Sequence, residues 1–210
     1  MPDKGFGVQV PVRTRLVSRL REVMVVATSA PFSNEDFDLA PLIEGVPDYP
    51  KPGILFKDIT PLLANGTALA ITIDRLAHFF RQHKSDAIAG IEARGFILGA
   101  AVASTLGIGF LPLRKPGKSP RPVHSVRYAL EYGEDELQVH RHLLEPGMRI
   151  GIIDDVLATG GTAAGSIDLI GRSGAEAVGF ACLLELGALG GRKRILEKSK
   201  DLPIHALIVQ

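Results

Sequence analysis

The sequence has little of what would mark a secreted, membrane-bound or nucleic-acid-binding protein. One cysteine in 210 residues excludes an internal disulfide framework and favours a reducing compartment, so a cytoplasmic location is expected. No apolar run approaches the ~18 residues needed to span a bilayer. Basic and acidic residues number 24 and 23, so no bulk field attracts nucleic acid or anionic lipid. An anionic ligand has to be held by a local arrangement, which favours a small-molecule site in a soluble protein.

The chain is long enough for one domain and an appendage. With 46% hydrophobic residues over 210 positions, it can bury one sizeable core. Residues 1–34 differ because their beginning is basic and amphipathic, and we predict that they form a disordered or dispensable extension before a single domain at residues 35–210. A targeting presequence, an N-terminal arm and a later start at Met24 are the alternatives.

The pattern of the domain alternates between strands and helices. A helix capped by Ser33 or Asn34 is predicted to run through Ile43, and the stretch GVPDYPKPG then breaks it. The predicted strands are residues 86–91, 108–114, 149–154, 175–186 and 204–210, and the further predicted helices are residues 67–83, 95–107 and 162–174. Such alternation predicts an α/β fold, a mainly parallel sheet with helices on both faces, interrupted by a loop and hairpin insertion between Lys115 and Leu144.

The segment RIGIIDDVLATGGT, residues 149–162, combines two acids with a small-residue turn. A parallel strand delivers Asp154 and Asp155 to the sheet edge where ligands bind. The following glycines and hydroxyls lead into a helix, whose free N–H groups favour an anion. Carboxylates repel phosphate but accept hydrogen bonds from sugar hydroxyls, directly or through Mg²⁺. A phosphosugar satisfies both halves of the segment.

This segment resembles the 5-phosphoribosyl 1-pyrophosphate (PRPP) motif of type I phosphoribosyltransferases. The resemblance implies a type I phosphoribosyltransferase-like fold and binding of PRPP, with Asp154 and Asp155 on the ribose hydroxyls. It places the 5′-phosphate on a loop of five residues, which are Ala158, Thr159, Gly160, Gly161 and Thr162. No protein metal site is expected, and Mg²⁺ is expected to be bound through the substrate.

Further stretches resemble the adenine phosphoribosyltransferases within that family. They are YPKPGILFKDITPLL (49–63), GIEARGFILG (90–99), LRKPGKSP (113–120) and YALEYGEDELQVH (128–140). In GIEARGF a strand ends where Arg94 opens a helix, so a guanidinium and free N–H groups can meet an anion. The resemblance makes this the pyrophosphate loop, and it makes LRKPGKSP a loop that closes over the active site with Lys115 and Lys118.

The resemblance also assigns residues to the base. Glu131 is implied to be the acid-base residue beside the purine. Phe56 supplies a ring for stacking on a flat base, Leu55 supplies backbone groups, and Lys57 is a donor. Members of the family often carry arginine where Lys57 stands, so this position keeps the charge and loses the planar fork.

Taken together, the resemblance implies a purine salvage enzyme that converts adenine and PRPP to AMP and pyrophosphate as a homodimer with Mg²⁺, without nucleic acid or membrane partners. A phosphoribosyltransferase for another base is the first alternative. A regulator that binds PRPP without turnover is the second, although residues 1–34 are too short for a helix-turn-helix domain with its own core.

Overall fold

A five-stranded sheet, with all neighbouring strands parallel, forms the centre of the unit Phe37–Gln210. The computed structural model describes residues 36–129 and 133–210, and Phe37–Gln210 form one compact unit. The nine strands are β1 Glu44–Pro47, β2 Leu55–Asp58, β3 Ala87–Ile91, β4 Gly109–Leu113, β5 Val123–Ala129, β6 Glu134–His140, β7 Arg149–Leu157, β8 Glu176–Glu185 and β9 Ile204–Val209 in this described part. The predicted extension at residues 1–34 lies outside the described residues.

The central sheet has the strand order β4-β3-β7-β8-β9, which places the two predicted ligand-binding strands β3 and β7 side by side. In the described part, β1 pairs with β2 and β5 with β6 as two antiparallel ribbons outside this sheet. The helices of the described part are α1 Thr60–Ala64, α2 Gly66–Gln82, α3 Arg94–Leu106, α4 Gly161–Arg172 and α5 Gly191–Lys198.

Side chains alternate along the central strands between two hydrophobic cores, one on each face of the sheet. Ile150 and Ile152 of β7 pack in the core that also holds residues of α4, α5 and the β5–β6 ribbon. Ile153 packs in the other core, with residues of α2 and α3. The predicted α/β fold with helices on both faces is therefore confirmed, because each face needs its own apolar cover.

The predicted hairpin insertion and the predicted helix at residues 67–83 are also confirmed, as the β5–β6 ribbon and as α2. The helix predicted to run through Ile43 is wrong over the described residues, where only the 3₁₀ turn Ala40–Leu42 forms. The side chain of Asp38 bonds the Ala40 N–H and Pro41 follows, so the local polar groups favour a turn over a helix.

Two strands and two α-helices of the described part were not predicted. The β1–β2 ribbon, the short α1 and α5 lie in stretches that carry glycine, proline or charged residues, which weaken their periodicity. The strand predicted at residues 149–154 continues to Leu157. Among the described residues, no helix has both the length and the apolar character required to cross a bilayer.

Candidate active site

A cavity of about 440 Å³ opens where β3 and β7 end. It collects candidate residues that lie more than a hundred positions apart in the sequence, as expected where ligands bind beside the carboxyl ends of parallel strands. The candidates among its lining residues are Leu55, Phe56, Lys57, Arg94, Lys115, Asp154, Asp155, Ala158 and Thr162. Lys118 is not among the lining residues.

The two acids lie inside β7, not beyond its end, and they differ in environment. Asp155 is buried and its carboxylate accepts a hydrogen bond from Nε of Arg94 at 2.5 Å. Oδ1 of Asp154 accepts the N–H of Asp155 at 2.9 Å. Burial, and then the charge of Asp155, raise the pKa of Asp154 well above its usual value. The pair therefore presents one carboxylate with a cationic partner and one carboxyl that holds its proton more tightly.

The small-residue loop follows directly and is shaped by close backbone packing. Gly160 has a left-handed φ of 77° and caps α4, so the first N–H groups of that helix stay free for an anion. A Cβ at Gly160 would lie 2.5 Å from the carbonyl oxygen of Gly191 at the start of α5. A second cavity, of about 80 Å³, contacts every residue of the loop from Ala158 to Thr162.

The loop that follows β3 brings Arg94 to the same cavity. The Glu92–Ala93 peptide bond is cis, and α3 begins at Arg94. A Cβ at Gly95 would lie 2.9 Å from the carbonyl oxygen of Ile153, so only glycine lets α3 start this close to β7. The guanidinium of Arg94 thus lies between Asp155 and the Phe56 ring, whose centroid is 5.1 Å away.

Carboxylates pair with the lysines of the basic loop, which is the stretch LRKPGKSP at residues 113–120. Nζ of Lys118 donates to Glu92 at 2.9 Å, and the backbone N–H of Lys115 donates to the other oxygen of the same carboxylate at 2.8 Å. Nζ of Lys115 forms an ion pair with Asp135 of β6. Burial alone would raise the pKa of Glu92, but hydrogen bonds from Lys118 and Lys115 outweigh it and hold that pKa below its usual value.

The β1–β2 ribbon supplies the apolar side of the cavity. The Phe56 ring is half-buried and meets Tyr49 edge to face, with centroids 5.2 Å apart. Leu55 is 54% exposed. Nζ of Lys57 donates to the side-chain oxygen of Gln210 at 2.6 Å, which ties the ribbon to the residue after β9.

Comparisons with known proteins agree on one family. The family model described as "Phosphoribosyl transferase domain" matches residues 62–207. An adenine phosphoribosyltransferase of Synechococcus sp. (strain JA-3-3Ab) is 54% identical over 173 residues, which are 82% of this chain and 97% of the relative. The chain belongs to the adenine phosphoribosyltransferase family. Membership makes it an enzyme of the pentosyltransferase class.

Solved structures of the adenine phosphoribosyltransferase family share this fold. The enzyme of Rhodothermus marinus DSM 4252 superposes with a TM-score of 0.77 at 45% identity, covering 82% of this chain and 96% of that chain. The enzyme of Giardia lamblia, solved in complex with 9-deazaadenine, has a TM-score of 0.78 at 35% identity, with 82% and 96% covered. The type I phosphoribosyltransferase fold predicted from the sequence is confirmed.

The structure adds residues of this family member that the sequence reasoning missed. Glu92 and Asp135 partner the lysines of the basic loop, Tyr128 contacts Lys115, and Gln210 holds Lys57. The alternation along β5 indicates that Tyr128 faces inward like Val126, but no pattern reveals which residue it meets. Glu131 lies outside the described residues, so its assignment stays a prediction.

Proposed function

We propose that this family member transfers the 5-phosphoribosyl group of PRPP to adenine, releasing AMP and pyrophosphate for purine salvage. The observation that carries the proposal is a pair of adjoining cavities that bring an acid pair together with two groups able to bind anions. Asp154 and Asp155 line the larger cavity with Arg94 and Lys115, and Asp154 also lines the smaller one with the loop of residues 158–162. PRPP, which carries a 5′-phosphate, a ribose and a 1-pyrophosphate, needs a partner for each of these three groups.

The ribose and 5′-phosphate are assigned to β7 and the start of α4. Five consecutive residues, Ala158, Thr159, Gly160, Gly161 and Thr162, offer backbone N–H groups and hydroxyls to the phosphate. Asp154 and Asp155 receive the ribose hydroxyls. The raised pKa of Asp154 suits a carboxyl that exchanges hydrogen bonds with hydroxyls inside a buried site.

The pyrophosphate is assigned to Arg94, Lys115 and Lys118. Each of these cations already has a carboxylate partner, namely Asp155, Asp135 and Glu92 respectively. An entering polyanion therefore shares Arg94 with Asp155 and competes with Glu92 for Lys118. Because the carboxylates hold the side chains in place beforehand, less conformational entropy is lost when the pyrophosphate binds.

Adenine is assigned to the β1–β2 side of the cavity. Phe56 stacks on the purine, Leu55 offers backbone hydrogen bonds, and Lys57 stays a donor held by Gln210. Glu131 is assigned the acid-base role: it accepts the proton that N9 of adenine loses as N9 attacks the ribose. Glu131 is the second residue after Ala129, the last residue of β5.

Mg²⁺ is proposed as the cofactor, held through the substrate. Among the described residues no three His, Cys, Asp or Glu side chains are grouped to hold a metal ion. The donor set fits Mg²⁺ nevertheless, because this ion keeps several waters and accepts one or two carboxylates with substrate phosphates. Asp154 and Asp155 would hold the ribose hydroxyls beside the ion, and the ion would neutralise charge on the pyrophosphate.

In this reaction the protein contributes more by stabilising charge than by forming bonds. Displacement at the anomeric carbon passes through an oxocarbenium-like state, as in glycoside transfer. Arg94 and Lys115 stabilise the negative charge that grows on the leaving pyrophosphate. Asp154 and Asp155 hold the ribose hydroxyls, and the loop of residues 158–162 fixes the 5′-phosphate so that the anomeric carbon faces the base.

We propose that the protein is a homodimer in the cytoplasm and that catalysis does not require the extension at residues 1–34. Support for a second copy comes from exposed apolar side chains on β1, on the turn between β1 and β2, and on α3. Val46, Tyr49 and Ile54 are 38%, 55% and 44% exposed, and Ile97 of α3 is 47% exposed. Sedimentation of the full chain tests the dimer, and AMP formation by a chain beginning at Glu35 tests whether catalysis requires the extension.

The decisive experiment measures AMP formation from PRPP and labelled adenine with Mg²⁺, beside reactions with hypoxanthine and guanine. Turnover of adenine alone supports the proposal. Turnover of another base in preference would replace it with a different phosphoribosyltransferase. PRPP binding without turnover of any base would leave a PRPP sensor, and the residue roles at Glu131 and Phe56 would fall with the enzyme.

A further inference from the structure

Tyr128 lies on β5 with 8% of its surface exposed, and its hydroxyl meets three polar side chains. Nζ of Lys115 donates to that hydroxyl at 2.8 Å, and the hydroxyl donates to Asp135 at 3.0 Å. The side chain of Thr162 also lies close to the hydroxyl. A single phenol therefore lies beside one residue from each phosphate-binding part of the site.

The ring of Tyr128 has no freedom to move the hydroxyl elsewhere. A Cβ at Gly165 in α4 would lie 2.7 Å from ring atoms, so the ring rests on that helix just after the phosphate loop. The ammonium of Lys115 lies 5.5 Å from the ring centroid. Because the ring is packed against helix backbone, the hydroxyl is a fixed point that binds Lys115 and lies beside Thr162.

The protonation of the network suits this arrangement. Burial raises the pKa of Tyr128, so its proton stays available for Asp135 at neutral pH. Burial alone would lower the pKa of Lys115, but hydrogen bonds to Asp135 and Tyr128 outweigh it and leave the pKa raised. The network therefore holds a charged lysine, a neutral phenol and a carboxylate.

We propose that Tyr128 is a positioning residue that joins the pyrophosphate half of the site to the 5′-phosphate half, through Lys115 and Thr162. Both partners line the cavity, whereas Tyr128 is not among the lining residues. The inference rests on the proposed function, since only a substrate with phosphates at both ends uses both halves at once. Its consequence is that PRPP, which spans the halves, depends on the Tyr128 hydroxyl more than adenine does.

The first test is Tyr128→Phe, which keeps the ring on Gly165 and removes only the hydroxyl. We expect the KM for PRPP to rise about 10-fold, while the KM for adenine changes less than about 2-fold. Calorimetry should show weaker binding of both AMP and magnesium pyrophosphate, since each carries one half of the phosphates. Weakening of only one product, or an unchanged KM for PRPP, would overturn the inference.

The matched control is Arg127→Met, at the neighbouring position of β5. The Arg127 side chain is 78% exposed and pairs with Glu136, so its loss perturbs the strand without touching the network. It should leave the KM for PRPP within about 2-fold. An equal effect of the two substitutions would show that any change in β5 matters and that the hydroxyl has no special part.

The second test is a double-mutant cycle with Lys115→Met. If the hydroxyl acts through Lys115, adding Tyr128→Phe to Lys115→Met should weaken magnesium pyrophosphate binding by less than about 2-fold more. Fully additive effects would overturn the coupling.

If Tyr128→Phe unfolds, Asp135→Asn tests the same network through the hydroxyl's acceptor, and both product affinities should again fall. The wild-type assay separates the two claims, because an inactive wild type contradicts the proposed function, whereas an active wild type with an unaffected Tyr128→Phe contradicts only this inference.

Discussion

The two ends of the candidate PRPP site are built from different kinds of phosphate-binding group. The 5′-phosphate end is built from backbone, with Gly160 in a left-handed conformation and packed on the start of α5. The pyrophosphate end is built from long charged side chains, and Lys115 and Lys118 are already paired with Asp135 and Glu92. Backbone donors are fixed by packing and have no ion-pair partner to give up. Paired side chains, in contrast, exchange partners when a ligand enters.

The largest effect is expected from breaking the backbone end. Gly160→Ala places a Cβ about as close to the Gly191 carbonyl as the 2.5 Å built distance and imposes a left-handed φ that costs about 1–2 kcal/mol. We expect kcat/KM for PRPP to fall at least about 100-fold. The control is Gly107→Ala, which has a φ of 68° with open space around the added Cβ. It should lower the melting temperature and spare the KM for PRPP; a similar KM effect would contradict the packing argument.

The next effect tests the acid that pairs with Arg94 and is assigned to the ribose. Asp155→Asn keeps the shape of the side chain but removes the charge that holds Arg94. We expect kcat/KM for PRPP to fall about 100-fold, since both ribose contact and the position of the guanidinium are lost. Steady-state kinetics check this result. Asp168→Asn breaks the ion pair with Lys198, at 2.8 Å and half-exposed, and should leave activity unchanged.

A smaller effect of opposite sign is expected from Glu92→Gln. The substitution removes the internal anion that pairs with Lys118, so pyrophosphate no longer competes with it. Calorimetry at low salt should show magnesium pyrophosphate binding about 3-fold more tightly, with AMP binding unchanged. Glu176→Gln, which loses a distant pairing with Arg149, is the control. Weaker pyrophosphate binding in Glu92→Gln would mean that the carboxylate orders the loop more than it competes.

The smallest effect concerns the pH dependence of stability. Burial alone would raise the pKa of Asp135, but the hydrogen bond from Lys115 outweighs it and leaves the pKa below its usual 3.8. A carboxyl with a depressed folded pKa stabilises the fold above pH 3.8 and loses that stabilisation as the pH falls through the folded value. Urea unfolding at pH 5 and at pH 3 should therefore show a smaller loss for Asp135→Asn than for wild type, by under about 1 kcal/mol.

Lys115→Met offers the complementary measurement. Without its cation, Asp135 loses the hydrogen bond that lowers its pKa most but keeps those from the Glu136 N–H and the Tyr128 hydroxyl, so the acid loss of stability should shrink, though by less than in Asp135→Asn. A loss between pH 5 and pH 3 equal to that of wild type would indicate that the pair contributes nothing measurable.

The pattern of residues was enough to predict the fold class and to place the loop of residues 158–162 between a central strand and the start of a helix. Strands of continuous apolar residues alternating with helices require a parallel sheet covered on both faces, and α2 follows its apolar stripe closely. The segment of residues 149–162 carries its acids and glycines in one local run, so position along one strand and one turn defines the 5′-phosphate loop.

Only the tertiary structure decided the charged end. The partners of Lys115 and Lys118 come from 20 and 26 residues away along the chain, and the partner of Lys57 comes from 153 residues away. Period and propensity describe neighbours along the chain, whereas an ion pair depends on which loops the fold brings together. The helix predicted through Ile43 failed for a related reason, since the Asp38 side chain and Pro41 favour a local turn there.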